Sequence, residues 1–210
     1  MSKPQTKKRV GVLISGRGSN LQSLIDAARA EQYPAEIALV ISDKPDAYGL
    51  QRAKEAGIET RVIERKDFAD KPAFEAAIDD SLRSADIEIV CLAGFMRLLS
   101  PWLVDRWLGK LINIHPSLLP SFKGLDAQGQ AIRAGVRIAG CTVHFVTAEM
   151  DGGPIIQQAS VPVLTDDTPD SLSDRILTLE HKIYPEALAM LANGGVTLDR
   201  NRALCRISRG

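Results

Sequence analysis

The chain has no excess charge of either sign: 26 lysines and arginines stand against 26 aspartates and glutamates in 210 residues. A general polyanion binder works through a summed positive field, so this balance argues against nucleic acid as a partner, and any anion must be gripped locally. Cysteine is scarce. Cys91, Cys141 and Cys205 are odd in number, widely spaced and without a C-x-x-C, which argues against a disulfide framework or a thiolate zinc site and fits a reducing cytoplasm. Long apolar runs are missing too. No stretch reaches the length of a membrane span, and the basic opening MSKPQTKKRV lacks the apolar core of a cleavable signal. The expectation is a protein without a membrane partner, working in the cytoplasm. No His-x-His, His-x-x-x-His or suitably spaced acidic cluster is written here, so no metal is expected, and no Gly-x-Ser-x-Gly elbow marks a serine hydrolase. Internal repeats and low-complexity linkers are absent as well.

What is present is an average globular composition, with 45% hydrophobic and 25% charged residues. The apolar run Arg9 to Ile14 reads as a buried strand that enters the turn SGRGSN. A helix follows, with Leu21, Leu24, Ile25 and Ala28 on one face and Ser19 or Asn20 as its cap. The alternation continues: strand Glu36 to Ser42, helix Asp46 to Gly57, strand Ile58 to Ile63, helix Pro72 to Arg83, strand Ile87 to Gly94. Strands that are apolar throughout and alternate with helices imply a mostly parallel, doubly wound α/β sheet with helices on both faces.

After Pro101 the rhythm becomes mixed. A short helix Trp102 to Trp107 leads to the strand KLINIH, a helix Asp126 to Ala134 and two strands, IAGCTVHFVT and PIIQQASVPV. The last helix should open at Thr168 with Pro169 in first position, bury Leu172, Ile176, Leu179 and Ile183, and kink or end at Pro185. The chain is read as one domain over 1–210: an α/β half over 1–100, a mixed half over 101–195 and an arginine-bearing tail over 196–210. That tail, with Arg200, Arg202, Arg206 and Arg209, reads as a solvated end rather than a nucleic-acid contact.

Three motifs carry chemistry. The turn Ser15 to Asn20 places glycines before a helix N-terminus, where free N–H groups and the helix dipole can hold a phosphate; it can equally be only a strand-to-helix turn. Leu21 stands where a dinucleotide fingerprint needs a third glycine, although Asp43 ends the second strand near the place of a ribose-binding acid. In Asn113-Ile114-His115-Pro116 the alternation of a strand puts the amide and the imidazole on one side, an oxyanion donor beside a proton-transfer group; a structural pair at a strand end is the competing reading. Asp151-Gly152-Gly153-Pro154 is a turn whose carboxylate, if folded toward His115, would orient the imidazole and raise its pKa. His144 reads as a hydrogen-bonded sheet histidine and His181 as a surface residue.

The segments ISGRGSNLQ, LAGFMRLLSP, LINIHPSLLPSFKG, TVHFV and DGGPII closely resemble the phosphoribosylglycinamide formyltransferases, in order and spacing, from about residue 9 to about residue 190. The resemblance implies a Rossmann-like formyltransferase fold and transfer of a formyl group from 10-formyltetrahydrofolate to the amine of glycinamide ribonucleotide, in purine biosynthesis. On it, Gly18, Ser19 and Asn20 would hold the substrate phosphate and Glu180 would stand near the glycinamide end. Asn113 and His115 would meet the oxyanion, His115 as a cationic donor, and Asp151 would raise its pKa and relay protons. Met96, Arg97, Leu98 and Leu99, with Asn113, would line the folate pocket, and Lys71 takes the place of an arginine that relatives set beside the folate. The chain departs from relatives at Asp126 to Gly129, where many carry histidine, so no contact is carried over there.

The resemblance leaves a monomer or a homodimer open. The competing readings are a formyltetrahydrofolate deformylase, expected to carry a further N-terminal domain, and a nicotinamide-nucleotide-binding protein resting on the glycine turn and Asp43. A methionyl-tRNA formyltransferase would need a further C-terminal domain.

Overall fold

The computed structural model describes residues 6–199 and 202–205, so Arg200, Arg206 and Arg209 lie outside the described residues. The alternating first half forms β1 (Lys8–Ile14), α1 (Ser19–Ala28), β2 (Ala35–Ser42), α2 (Tyr48–Glu55), β3 (Glu59–Val62), α3 (Lys71–Ser84) and β4 (Ile89–Leu92). Then come α4 (Pro101–Arg106), β5 (Leu111–His115), α5 (Ala127–Arg133), β6 (Ile138–Phe145), β7 (Ile155–Pro162) and α6 (Pro169–Ala192). A hairpin of β8 (Val196–Asp199) and β9 (Arg202–Cys205) closes the described chain.

Seven strands make one sheet in the order β3-β2-β1-β4-β5-β6-β7, parallel from β3 to β5 and antiparallel at the β5–β6 and β6–β7 pairings. The strand order reverses between β1 and β4. At such a switch point the connections leave in opposite directions, and a crevice opens beyond the carboxyl ends of the strands. Both faces of the sheet are covered, which explains the continuous apolar runs. Val10, Val12 and Ile14 of β1 join Ile89 and Cys91 of β4 in a core with Leu21, Leu24, Ile176 and Tyr184, while Leu13, Val90 and Leu92 pack on the other side with Phe74, Ile78, Leu82 and Leu103.

Four expectations need correction. Neither Ser19 nor Asn20 caps α1; both lie inside it, and the cap position is Gly18, left-handed at φ 69 and without a side-chain bond. The inner stripe of α6 runs through Leu172, Ile176, Glu180 and Ile183, with Leu179 only partly buried, because successive steps of four carry the stripe onto Glu180. Pro185 does not end α6. The buried Tyr184, Ala187 and Leu188 around it outweigh one lost backbone bond, and the Pro185 carbonyl accepts the Tyr33 hydroxyl at 2.7 Å. Val196 onward is not simply a tail: β8 and β9 pair, and β9 packs beside β7. The start of α6 is as expected, with Thr168 accepting the Ser171 N–H and Pro169 in first position. Among the described residues no helix is long and apolar enough to cross a membrane.

Candidate active site

The antiparallel β5–β6 pairing sets Asn113 directly opposite His144, and His115 opposite Thr142. Asn113 is half-buried and His115 buried, on the same side of β5, with Ile114 turned into the core. His144 fixes the amide. Its Nδ1 lies 2.9 Å from the Phe145 carbonyl, which can only accept, so Nδ1 carries the proton. Burial pulls the His144 pKa down, against the raising effects of that bond and of Asp151, so the ring is neutral and Nε2 accepts. Asn113 Nδ2 sits 3.2 Å from that Nε2 and donates one of its two protons to it. The amide is thereby oriented, with a second N–H for an incoming oxygen.

Asp151 is brought to the same place from the loop between β6 and β7. Its backbone is left-handed at φ 49, and one carboxylate oxygen accepts the Gly124 N–H at 2.9 Å. That oxygen lies 3.5 Å from His115 Nδ1, while the other lies 3.9 Å from His144 Nε2. On the far side of the ring, His115 Nε2 is 2.9 Å from the Phe122 carbonyl. Both nitrogens of His115 thus face oxygen atoms, Nε2 in a hydrogen bond and Nδ1 at a longer distance. The loop can come this close because Gly153 has no side chain: a Cβ there would stand 1.8 Å from the Phe145 carbonyl oxygen. Sequence reasoning missed the part of His144. The signal was available, because pairing LINIH with TVHF in antiparallel register puts the histidine across from the asparagine.

The glycine turn joins β1 to α1 beneath α2. A Cβ on Gly18 would lie 2.6 Å from Gly49 Cα, and Gly49 N–H bonds the Gly16 carbonyl at 3.0 Å, so the turn is held by close backbone contact. With no side chain capping α1, the first N–H groups after Gly18 have no partner within the helix. Asn20 Nδ2 donates to the Glu180 carboxylate at 2.7 Å. Burial drives the Glu180 pKa up, opposed by this bond and by the charge of His115. The structure therefore brings Asn20 and Glu180 into contact and sets His115 within electrostatic reach of them.

A cleft of about 380 Å³ lies beside β4, β5 and β6, walled by Arg97, Leu98, Leu99, Asn113, His144 and Asp151, with Lys71 also lining it. Met96 does not line it. That side chain is two-thirds exposed and faces an adjoining hollow with Arg65, Lys71 and Phe74. Asp43 is not available to a ribose: it is buried and ion-paired with Arg97. Asp126 turns back along α5 to Arg133 at 2.9 Å, its carboxylate lying over Gly129, where a Cβ would stand 2.3 Å from it. His181 is half-buried rather than a free surface residue, and burial lowers its pKa.

An oriented amide, two imidazoles and a carboxylate at the carboxyl ends of a doubly wound sheet define the class as an α/β enzyme built for addition to a carbonyl-type carbon. The chain belongs to the formyl transferase family, which matches residues 8–188. It is 52% identical to the trifunctional purine biosynthetic protein adenosine-3 of Bos taurus over 202 residues, 96% of this chain but 20% of that protein. The chain thus spans about a fifth of the length of such trifunctional relatives. It is 45% identical to the phosphoribosylglycinamide formyltransferase of Haemophilus influenzae, covering 93% of this chain and 92% of that one. The crystal structure of glycinamide ribonucleotide transformylase 1 from Symbiobacterium toebii superposes with a TM-score of 0.92 at 48% identity, over 95% of this chain and 94% of that one.

Proposed function

We propose that this chain transfers the formyl group of 10-formyltetrahydrofolate to the amine of glycinamide ribonucleotide, the reaction by which the similar full-length relatives are named. The observation that carries the reading is the Asn113–His144 bond, which aims an amide donor into the cleft beside His115 and Asp151. Attack of an amine on a formamide carbon builds negative charge on oxygen and positive charge on nitrogen together. Asn113 donates to the first from its second N–H and His115 from Nδ1, which stands 3.5 Å from Asp151 without a closed hydrogen bond, and Asp151, through His115, moves the proton that the amine must lose and the departing nitrogen must gain. The free N–H groups of α1 at Gly18, Ser19 and Asn20 take the phosphate of the ribonucleotide without any general positive field. Glu180, tied to Asn20, stands toward the amine.

The folate fits the cleft on two counts: its volume suits a flat bicyclic ring, and the Phe95–Ser100 loop offers backbone groups at its rim beside the apolar Leu98 and Leu99. Lys71 places a point charge, not a bidentate fork, near the tail end. We place the reaction in the cytoplasm, where the buried free thiols of Cys91 and Cys141 stay reduced. The test is a spectrophotometric assay with 10-formyltetrahydrofolate, with and without glycinamide ribonucleotide, comparing wild type with His115→Ala. Tetrahydrofolate formed only when the amine is present, and lost in the variant, is the expected result. Equal release without the amine would replace the reading with a hydrolytic deformylase.

A further inference from the structure

The Phe95–Ser100 segment that rims the cleft has no helix or strand of its own, and Met96 and Leu98 on it are 66% and 67% exposed. Apolar packing does not hold those positions. Three polar side chains from the first half, all nearly out of contact with water, do so instead. Ser15, which follows β1 and opens the glycine turn, accepts the Met96 N–H at 2.9 Å, and its own N–H reaches the Gly94 carbonyl at 3.1 Å. Asp43, which follows β2, pairs with the Arg97 guanidinium, itself laid over the Phe74 ring at 5.5 Å. The second Asp43 oxygen is buried with no partner. Glu75 of α3, 1% exposed, accepts the Ser100 N–H at 2.8 Å and also the Ser100 hydroxyl. Each carboxylate gives up hydration, and burial of that kind is compensated only by well-placed donors. Here the hydrogen-bond donors all belong to one loop, and Lys71 of α3 adds a charge 3.7 Å from Glu75.

We propose that Ser15, Asp43 and Glu75 are positioning residues that set the folate rim, acting through Met96, Arg97 and Ser100 rather than on substrate; this rests on the formyl-transfer reading above. Because Ser15 adjoins the glycine turn, the rim is registered to the same strand end as the phosphate site. The first half therefore does more than bind phosphate: it sets where the folate lies relative to the amine.

Asp43→Asn and Glu75→Gln keep volume and remove charge. The control is Asp79→Asn on the same helix α3, where an equally buried carboxylate binds Arg83, Arg106 and Trp107 but not the rim. Steady-state kinetics for both substrates, calorimetric titration with tetrahydrofolate and thermal melting are run on all three. The expected result is a folate KM and a tetrahydrofolate Kd raised about tenfold in the first two, with kcat and the amine KM within about twofold. Asp79→Asn should lower the melting temperature and leave folate affinity unchanged. If folate affinity stays within twofold in Asp43→Asn and Glu75→Gln, or falls as much in Asp79→Asn, the inference is overturned. Should both carboxylate variants fail to fold, Ser15→Ala, which deletes one oxygen, decides by the same split. Wild-type protein that binds tetrahydrofolate but formylates no amine would defeat the function and not the positioning, which the titration judges separately.

Discussion

The Asp151 loop and the His144 strand meet so closely only because Gly153 lacks a methyl group, and adding that methyl tests the whole arrangement. In Gly153→Ala the new Cβ would lie 1.8 Å from the Phe145 carbonyl oxygen, where Cβ atoms keep at least 3.0 Å, so the two backbones must part by more than about 1 Å. Neither side can yield harmlessly. The Phe145 carbonyl also holds His144 Nδ1 at 2.9 Å, and the Phe145 N–H is bonded to the Pro154 carbonyl at 2.9 Å, so movement reaches the His144–Asn113 bond or the Asp151–His115 approach. Overpacking of this kind costs about 1–3 kcal/mol, and a displacement of about 1 Å at reacting groups can cost about 10²-fold in rate. The neighbouring glycine is the control. At Gly152 an added Cβ meets the Glu149 side chain at 2.3 Å, an exposed residue that can swing away with the loss of its surface pairing to Lys123. Neither glycine has a positive φ, so conformational strain does not confuse the comparison. Formyl-transfer kinetics and melting curves should show Gly153→Ala about 10²-fold lower in kcat/KM and several degrees less stable, with Gly152→Ala near wild type. A Gly153→Ala enzyme within about threefold of wild type, or a Gly152→Ala enzyme equally impaired, refutes the argument.

Other substitutions test separate parts of the site. His144→Phe keeps a planar ring, somewhat larger than the imidazole, but removes the acceptor that orients Asn113, so kcat should fall at least about tenfold with the ribonucleotide KM little changed, as steady-state assays would show. Gly18→Ala combines a left-handed φ of 69 with a Cβ 2.6 Å from Gly49, so it should lower the melting temperature and raise the ribonucleotide KM by about 10² or more. Glu180 is an acid whose folded pKa is raised by burial. Between its unfolded and folded pKa values the folded chain binds more proton, so its contribution to stability is lost as pH rises through that window. Melting of Glu180→Gln against wild type between about pH 4 and pH 8 should show the variant gaining relative stability toward high pH, and an opposite slope would reject the assignment.

The parallel half of the fold was legible because a strand covered on both faces must be apolar throughout, and RVGVLI, EIALVIS and IEIVCLAG satisfy that condition without ambiguity. What the sequence concealed depends on positions that only pairing and packing define. Whether Glu180 or Leu179 faces inward turns on one step along α6, which the apolar periodicity alone does not fix in a helix that must also bury Tyr184. The β8–β9 hairpin has strands of only 4 residues each, too short for their alternation to stand out; they are ordered by each other and by β7. His144 was placed on its strand but left out of the chemistry, because its importance lies in register with β5 and not in its neighbours along the chain.

Ser15, Asp43 and Glu75 illustrate the same limit from the other side. Each is an ordinary residue at a strand end or on a helix, and its use appears only when the loop from Met96 to Ser100 folds over it. Local chemistry thus marks the groups proposed to react, such as Asn113 and His115, since their residue types and spacing must suit the reaction. The groups that hold them in place need only be polar, buried and near, and those are properties of the assembled sheet. A substitution at such a position is therefore predicted to alter where a substrate sits before it alters the chemistry done upon it.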